Sequence, residues 1–199
     1  MLPTYFFANV DIRDPEQYAD YRRQVSQISA QFGASYICRG GKFDLLEGDG
    51  MYDRLTIMKF PTWDNCRTWY HSKEYGRVKS IRQASSRGNL FMTEGLPGDA
   101  VATPGAGLVL AMGTVHDQET YKEYQQATRQ TLTASEGIVL AAGGRVARLE
   151  GAEPQQKIVL LSFPSYQAAK DWYQSPEYRS AMKLRQASTD SMLLIAEAI

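Results

Sequence analysis

The sequence predicts an α+β protein made of two ferredoxin-like βαββαβ modules that pack sheet to sheet as an intramolecular pseudo-dimer. Three observations support this fold class. The chain of 199 residues repeats itself once, each half carries the same order of strand and helix patterns, and the predicted strands are apolar on both faces. A hydrophobic content of 43% is enough to form a buried core.

The repeat runs without a gap. Residues 14–94 align with residues 117–197 at a constant offset of 103, and 23 of the 81 columns are identical. Unrelated chains of ordinary composition would match in roughly one column in sixteen. Because every loop has kept its length, we expect one shared fold, with a first module at 1–96 and a second at 107–199. Residues 97–106 lie within the Gly- and Pro-rich segment GLPGDAVATPGAG and are predicted to be a linker.

Each half begins with a predicted strand followed by a helix. Residues 4–12 and 107–115 are apolar and rich in β-forming residues, which is typical of a buried strand. Asp14-Pro15 predicts a helix start, because Asp accepts a hydrogen bond as the N-cap and Pro needs no partner at the first helical position. Apolar residues then recur at three- to four-residue spacing and predict one buried helix face: Tyr18, Tyr21, Val25, Ile28 and Phe32.

The rest of the module is predicted to contain two strands, two helices and a closing strand. Gly48-Asp49-Gly50 predicts a hairpin between the two strands, and Pro61 ends the second of them. Ser72 and Ser175 are predicted to be N-caps, each starting the second helix of its pair. In chain order these elements are expected at 34–47, 54–61, 62–71, 74–86 and 88–95.

The face of each sheet that carries no helix must also be buried. The strand segments LTIMKF and KIVLLSF lack the polar alternation of a strand with one solvated face. We therefore expect the two sheets to pack against each other within the chain. Further association into a homo-oligomer is left open.

Composition excludes several classes of function. Lys+Arg and Asp+Glu both number 22, so there is no basic excess for a nucleic-acid partner. There is no run of 18 apolar residues for a membrane span, and two cysteines without a CxxC motif suggest a cytoplasmic protein with reduced thiols. No Walker motif or GxSxG elbow is present. Two histidines and two cysteines without ligand spacing predict no metal site and no cofactor, and only a haem with a single histidine ligand is left open.

Several segments resemble a known family. GGKFDLLEG with FPTWDNCRTWYHSKEY, and GGRVARLEG with LLSFPSYQAAKDWYQSPEYRSAMKLRQAS, resemble the small bacterial proteins grouped as domain of unknown function 1330. The first half departs from the family pattern at Lys73, where a proline is usual, and at His71, where the second half has Gln174. The resemblance covers nearly the whole chain and implies a dimeric α+β barrel, here as a covalent version of the dimer. It implies no reaction, because relatives in that superfamily range from cofactor-free monooxygenases to binding modules.

Polar residues present in both halves are the candidate catalytic residues. Glu47 and Glu150 stand at strand ends before glycine, while Arg82 and Arg185 lie on the last predicted helix of each half. Arginine offers a planar fork for an oxyanion, and a nearby glutamate could accept a proton. His71, which the second half replaces with Gln174, could also move protons. The alternative is that the glutamates and arginines pair with each other, and that His71 is an exposed helix-end residue.

A second set of repeated residues is predicted to line a ligand pocket. Two tyrosines one turn apart in each first helix face the core, where a ring could line a pocket and a hydroxyl could orient a substrate, although packing alone explains them equally well. A Trp–Tyr pair points in two directions, so at most one of its members faces a pocket, and the Trp is the more usual core residue. The doubled glycines suit close approach of a ligand, but a bulge explains them as well. The predicted ligand-binding residues are Tyr18, Tyr21, Gly41, Tyr70, Gln83, Tyr121, Tyr124, Gly144, Tyr173 and Gln186.

The leading functional hypothesis is a protein that binds a small, partly apolar organic molecule carrying an oxyanion or carbonyl. It would act, if it is an enzyme, by cofactor-independent acid–base chemistry on a small organic acid or carbonyl compound. The competing hypothesis is a non-catalytic module that binds a metabolite or a protein. The first half carries the richer polar set, so we expect the specialised pocket there, with His71 and Arg82 contributing to it.

Overall fold

The computed structural model describes residues 1–52, 54–98, 100–153 and 156–199. Both halves contain the same order of strands and helices, as the repeat predicts. The elements are β1 (Thr4–Ile12), α1 (Pro15–Gln31), β2 (Ser35–Arg39), β3 (Phe43–Glu47), β4 (Arg54–Phe60), α2 (Trp63–His71), α3 (Lys73–Ser85), β5 (Ser86–Glu94), β6 (Gly107–Val115), α4 (Gln118–Ala134), β7 (Ile138–Ala142), β8 (Val146–Glu150), β9 (Lys157–Phe163), α5 (Tyr166–Gln174), α6 (Pro176–Ser188) and β10 (Thr189–Glu197).

These elements form two compact units, and each unit takes one strand from the other half of the sequence. The units therefore do not coincide with the contiguous modules 1–96 and 107–199, which remain a proposal about the sequence repeat. The first unit comprises Met1–Gly40, Met51–Gly98 and Arg145–Pro154, and the second comprises Gly41–Gly50, Asp99–Gly144 and Gln155–Ile199.

The first unit is a five-stranded antiparallel sheet with helices on one face. Its strand order is β2-β4-β1-β5-β8, so the exchanged strand β8 lies at the edge beside β5. Alternate residues of β1 face the helices and join one apolar core with α1, α2 and α3. Ala147 and Leu149 of β8 pack against that core, so the exchanged strand is part of the unit's hydrophobic packing.

The second unit repeats this arrangement with the other exchanged strand. Its order is β3-β10-β6-β9-β7, with β3 at the edge beside β10. Its core is built from β6, β9 and β10 together with α4, α5 and α6, and Leu46 of β3 packs against it. The two units are thus built on the same plan from equivalent elements.

The exchanged strands correct two sequence predictions. The hairpin at Gly48-Asp49-Gly50 is wrong, because β3 pairs with β10 whereas β4 pairs with β1 and β2. The predicted single strand 34–47 is divided at Gly40, whose φ of 60° lies in the left-handed region that favours glycine. Glycine-rich turns allow the chain to leave in many directions. Here the pairing of β3 with β10 determines the direction that the chain takes after Gly40.

The predicted helix starts are confirmed. Asp14 caps α1 by accepting a hydrogen bond from the Gln17 amide at 3.0 Å. Ser72 caps α3 through the Tyr75 amide, and Ser175 caps α6 through the Tyr178 amide, both at 3.1 Å. Each serine therefore separates two helices that would otherwise be continuous, and this break sets the direction of the last helix.

The predicted α+β class with two βαββαβ modules is confirmed, and β1 and β6 have the predicted bounds. Within the part of the chain that the structure describes, no helix is both long and apolar enough to span a bilayer.

Candidate functional site

A buried arginine, a glutamate and a tyrosine form a cluster at the edge strand of the first unit. Arg82 of α3 is only 2% exposed, and its Nη2 donates to Oε1 of Glu150, the last residue of β8. The hydroxyl of Tyr70, on α2, donates to the same oxygen. One carboxylate from the second half of the sequence therefore holds together two helices of the first.

The second unit contains the equivalent cluster with more hydrogen bonds. Arg185 donates to Oε1 of Glu47, and the Tyr173 hydroxyl donates to the same oxygen at 2.8 Å. Gln186 donates to Oε2 of Glu47 at 3.0 Å. Arg185 also donates to the Ser191 hydroxyl at 2.7 Å, a contact for which the first unit has only a glycine, Gly88.

The electrostatics of both clusters keep the glutamates ionised. Burial acts to raise the pKa of Glu150, but Arg82 and the hydrogen bonds from Tyr70, Arg82 and Gln83 hold that pKa below its ordinary value. Burial also acts to raise the pKa of Glu47, but contacts from Gln186, Arg185 and Tyr173 outweigh it and lower that pKa. Burial, and then the neighbouring carboxylate, raise the pKa values of Tyr70 and Tyr173. At neutral pH each cluster is therefore an ion pair supported by a neutral tyrosine.

This geometry agrees with the alternative in which the repeated glutamates and arginines pair with each other. Each glutamate pairs with the arginine of the opposite half, Glu150 with Arg82 and Glu47 with Arg185. A carboxylate whose pKa is lowered in this way is a weak proton acceptor at neutral pH. The proton-transfer role predicted for both glutamates stays a prediction.

A small cavity lies between α1 and the sheet of the first unit, and we call it the helix–sheet cavity. Tyr18 and Tyr21 of α1 line it together with Arg82 and Arg54, and its volume is about 20 Å³. Arg22 and Arg39 also line it, so among the described residues four arginines and no carboxylate line this space. The Nε atoms of Arg54 and Arg82 are buried and have no hydrogen-bond partner among the described residues.

The second unit has a cavity of about 20 Å³ at the equivalent position. Tyr121 and Tyr124 line it with Arg185, but Lys157 replaces Arg54. Gln125 and Ala142 occupy the positions of Arg22 and Arg39, so this cavity is less cationic. The sequence predicted Tyr18, Tyr21 and Arg82 of the first cavity and Tyr121, Tyr124 and Arg185 of the second, but it missed other lining residues of the first cavity, namely Arg22, Tyr36, Arg39 and Arg54.

His71 lies outside the helix–sheet cavity. It is exposed at the end of α2, with its ring 5.2 Å from the ring of Tyr70, and it lines a different cleft with Trp63 and Arg145. Arg82 lies ten residues beyond the helix break at Ser72, nearly three turns along α3. The structure thus places His71 and Arg82 at different cavities, and the contribution of each to function stays a prediction.

The remaining candidates lie near the clusters or at turns. Gln83 and Gln186 are exposed and reach the glutamates Glu150 and Glu47. Gly41 is exposed, and a side chain there would meet no atom within 4 Å, so its surroundings do not require glycine for close approach. Gly144 holds the equivalent place before β8. Among the described residues, no three His, Cys, Asp or Glu side chains lie close enough to hold a metal ion.

Comparison with known proteins identifies the family and supports the fold. The family model "Domain of unknown function (DUF1330)" matches residues 3–96 and again 106–199, so the chain belongs to this family as a tandem member. An anthrone oxidase-like protein of known structure is 15% identical, with a TM-score of 0.59 over 100% of this chain and 91% of that one. A mutant chlorite dismutase from Candidatus Nitrospira defluvii, in complex with cyanide, is 10% identical, with a TM-score of 0.52 over 99% and 90%. No curated protein matches the sequence. These likenesses confirm the dimeric α+β-barrel fold class.

Proposed function

For this member of the DUF1330 family, we propose that the first unit binds a small, partly apolar organic molecule through a carboxylate or carbonyl oxygen at the helix–sheet cavity. A pair of buried donors carries the proposal, since Arg54 and Arg82 line this cavity and their Nε–H groups have no acceptor among the described residues. Buried N–H groups in native proteins nearly always have a partner, and guanidinium groups favour negatively polarised oxygens. A ligand oxygen between the two arginines would be that partner.

The size of the cavity indicates how much of the ligand enters. A volume of about 20 Å³ has room for about one water-sized group. One ligand oxygen would therefore occupy the cavity, and the apolar body would remain beside Tyr36, a half-buried lining residue. The guanidinium of Arg39 lies 4.5 Å from the centre of the Tyr36 ring, so a planar ligand would meet one aromatic and one planar cationic group there.

The titration of the lining groups favours binding over proton abstraction. Burial raises the pKa values of Tyr18 and Tyr21, so both hydroxyls are protonated at neutral pH and can donate hydrogen bonds. Glu150 is already engaged by Arg82 and Tyr70. The cavity therefore offers several donors and cationic groups for a ligand oxygen, which is the chemistry of an anion-binding pocket.

A cofactor-independent enzyme acting on a small organic acid or carbonyl compound is the second candidate. It is favoured by the likeness in fold, along the full chain, to a protein named anthrone oxidase-like. In that case the hydrogen-bonded cluster of Tyr70, Glu150 and Arg82 would supply the group that donates or accepts a proton. Turnover, rather than binding, separates the two candidates.

Calorimetry and ligand-induced thermal shifts with benzoate, salicylate and phenol would test the proposal. We expect the carboxylates to bind and to raise the Tm, and Arg54→Gln to weaken binding about tenfold or more through loss of a charge-assisted contact. The matched control Lys157→Gln, in the second unit, should leave binding unchanged. Equal losses in both variants, or no binding of any probe, would contradict the proposal, and consumption of a bound probe would favour the enzyme.

A further inference from the structure

The first unit contains a second cleft whose chemistry the proposed function does not use. It lies between α2 and the edge strand β8, has a volume of about 250 Å³, and is referred to below as the α2–β8 cleft. Trp63 of α2 and Met92 of β5 are its buried apolar members. Its charged members are Arg67, Arg145 and Arg148, with His71 beside them.

Most of this positive charge has no carboxylate partner. Arg148 pairs with Glu153 at 2.8 Å, but both side chains are largely exposed. Arg67 and Arg145 have no carboxylate oxygen within 4.0 Å among the described residues, and no acidic residue lines the cleft. The guanidinium of Arg145 lies 4.2 Å from the centre of the Trp63 ring, so packing against that ring fixes its position. The cleft thus presents two unpaired guanidinium groups above an apolar floor.

The equivalent position in the second unit contains an acid. Asp44 of β3 pairs with Ile195 of β10, as Ala147 of β8 pairs with Met92 of β5. Asp44 accepts a hydrogen bond from Lys170 at 2.8 Å, and Lys170 is the counterpart of Arg67. Lys42 lies 4.2 Å from the centre of the Tyr166 ring, the same distance that separates Arg145 from Trp63. The two sites share one framework, and in the second unit a carboxylate of the protein itself satisfies the cationic group.

We propose that the α2–β8 cleft of the first unit binds a small organic anion whose carboxylate or phosphate takes the place that Asp44 has in the second unit. Arg67 and Arg145 pair with the acidic group, and His71 offers a further hydrogen bond at the rim. Met92 and Leu149 contact the apolar body of the ligand. This site differs from the helix–sheet cavity, with which it shares no lining residue.

The ligand class follows from the shape and charge of the cleft. A volume of about 250 Å³ is slightly below the range of about 300–1,000 Å³ usual for small-molecule sites, so a single-ring compound suits it better than a nucleotide. Planar guanidinium groups bind carboxylates and phosphates through paired hydrogen bonds. Benzoate and phenyl phosphate therefore serve as probes, and neutral benzamide serves as the control ligand.

Titration calorimetry on full-length Arg54→Gln protein tests this inference, because that substitution weakens binding at the helix–sheet cavity, and binding at the α2–β8 cleft is then identified by its dependence on Arg67. We expect saturable binding of benzoate or phenyl phosphate but not of benzamide. Ala147→Asp, which gives the first unit the acid of the second, should lower the affinity about tenfold or more, as should Arg67→Gln. Lys170→Gln is the matched control and should leave the affinity unchanged. Asp44→Ala should create a second site and raise the number of bound probes per chain.

Two results would overturn the inference. One is the absence of saturable binding of both anionic probes to the Arg54→Gln protein. The other is unchanged affinity in either Ala147→Asp or Arg67→Gln, with folding verified by thermal unfolding. Arg67 is exposed, so its substitution keeps the test valid even if Ala147→Asp fails to fold. The helix–sheet cavity is tested by comparing Arg54→Gln with the unsubstituted protein, and the α2–β8 cleft is tested by comparing the effects of Arg67→Gln and Ala147→Asp in the Arg54→Gln protein, so the two proposals fail separately.

Discussion

The two units share one backbone plan but differ in how they satisfy their buried and cationic groups. In the second unit Arg185 has Glu47 and Ser191 as acceptors, and Lys170 has Asp44. In the first unit Arg82 has Glu150, while glycine and alanine occupy the positions of Ser191 and Asp44. The second unit therefore has protein acceptors at two positions where the first has none, while the Nε atoms of Arg82 and Arg185 both lack a partner among the described residues. Duplication allows this difference, because one copy can maintain the fold while the other keeps groups that favour a ligand.

The largest expected effect comes from separating the halves. Cutting the chain between residues 102 and 103 leaves a first fragment without β8 and a second without β3, so each lacks an edge strand and the carboxylate that its arginine requires. We expect neither fragment alone to be a stable monomer and the mixture to regain the native circular dichroism spectrum. Sedimentation and thermal unfolding of each fragment measure this. A monomeric fragment with cooperative unfolding would show that the exchanged strand is dispensable.

Loss of the glutamates should distinguish the two ion-pair clusters. Glu150→Ala leaves Arg82 buried and uncompensated, which should cost about 3–5 kcal/mol in the free energy of unfolding. Glu47→Ala should cost less, because Ser191 still accepts a hydrogen bond from Arg185. Urea denaturation of both variants measures the difference. Equal costs, or a larger cost for Glu47→Ala, would mean that Ser191 contributes nothing to the stability of the second cluster.

The buried tryptophans Trp69 and Trp172 should show a smaller difference between the units in their contribution to stability. Trp172 donates to the Thr131 hydroxyl at 2.9 Å, whereas the indole N–H of Trp69 has no partner among the described residues. Thr131→Val should leave the Trp172 N–H unpaired and cost about 1–3 kcal/mol. The matched change Ile28→Val should lower the free energy of unfolding by less, because Ile28 is half-buried and its substitution removes no hydrogen-bond acceptor. Thermal unfolding compares the two, and a Thr131→Val protein as stable as the wild type would exclude the hydrogen bond as a stabilising contact.

The smallest effect concerns Asp44 and pH. The hydrogen bond from Lys170 lowers the pKa of Asp44, so its contribution to stability is present above the unfolded value of roughly 3.9 and is lost as pH falls through the lower folded value. Because the pair is partly exposed, Asp44→Asn should cost at most about 1 kcal/mol at pH 7 and nothing near pH 2. Urea denaturation at both pH values measures this. A loss that is independent of pH would contradict the ionic origin of the contribution.

Local sequence patterns predicted most elements of the fold. The bounds of β1, the Asp14 cap of α1 and the helix break at Ser72 all follow from short-range chemistry, namely apolar runs and side chains that accept hydrogen bonds from free amides. The hairpin at Gly48-Asp49-Gly50 was predicted in the same way and is wrong, because a turn signal does not identify the partner of the following strand.

The candidate site was predicted in part. Tyr18, Tyr21 and Arg82 were found by their repetition, and they line one cavity. Arg54 was missed because the second half has lysine there, and a search for identical pairs passes over it. His71 was expected to share a pocket with Arg82 but lines the α2–β8 cleft, because Ser72 separates α2 from α3 and spacing along the chain does not reveal where each helix packs.

The sequence by itself determined the repeat, the order of the elements and the helix caps, and it identified the repeated glutamates and arginines as the residues to examine. The tertiary structure decided which copy supplies each partner. Glu47 and Glu150 occur in the same motif, so pairing with the arginine of the same half or of the opposite half is equally compatible with the sequence. The exchange of β3 and β8 decides between the two pairings, because it places Glu150 beside Arg82 and Glu47 beside Arg185. A buried arginine requires an anion within hydrogen-bond distance, and only the path of the backbone determines which carboxylate arrives there.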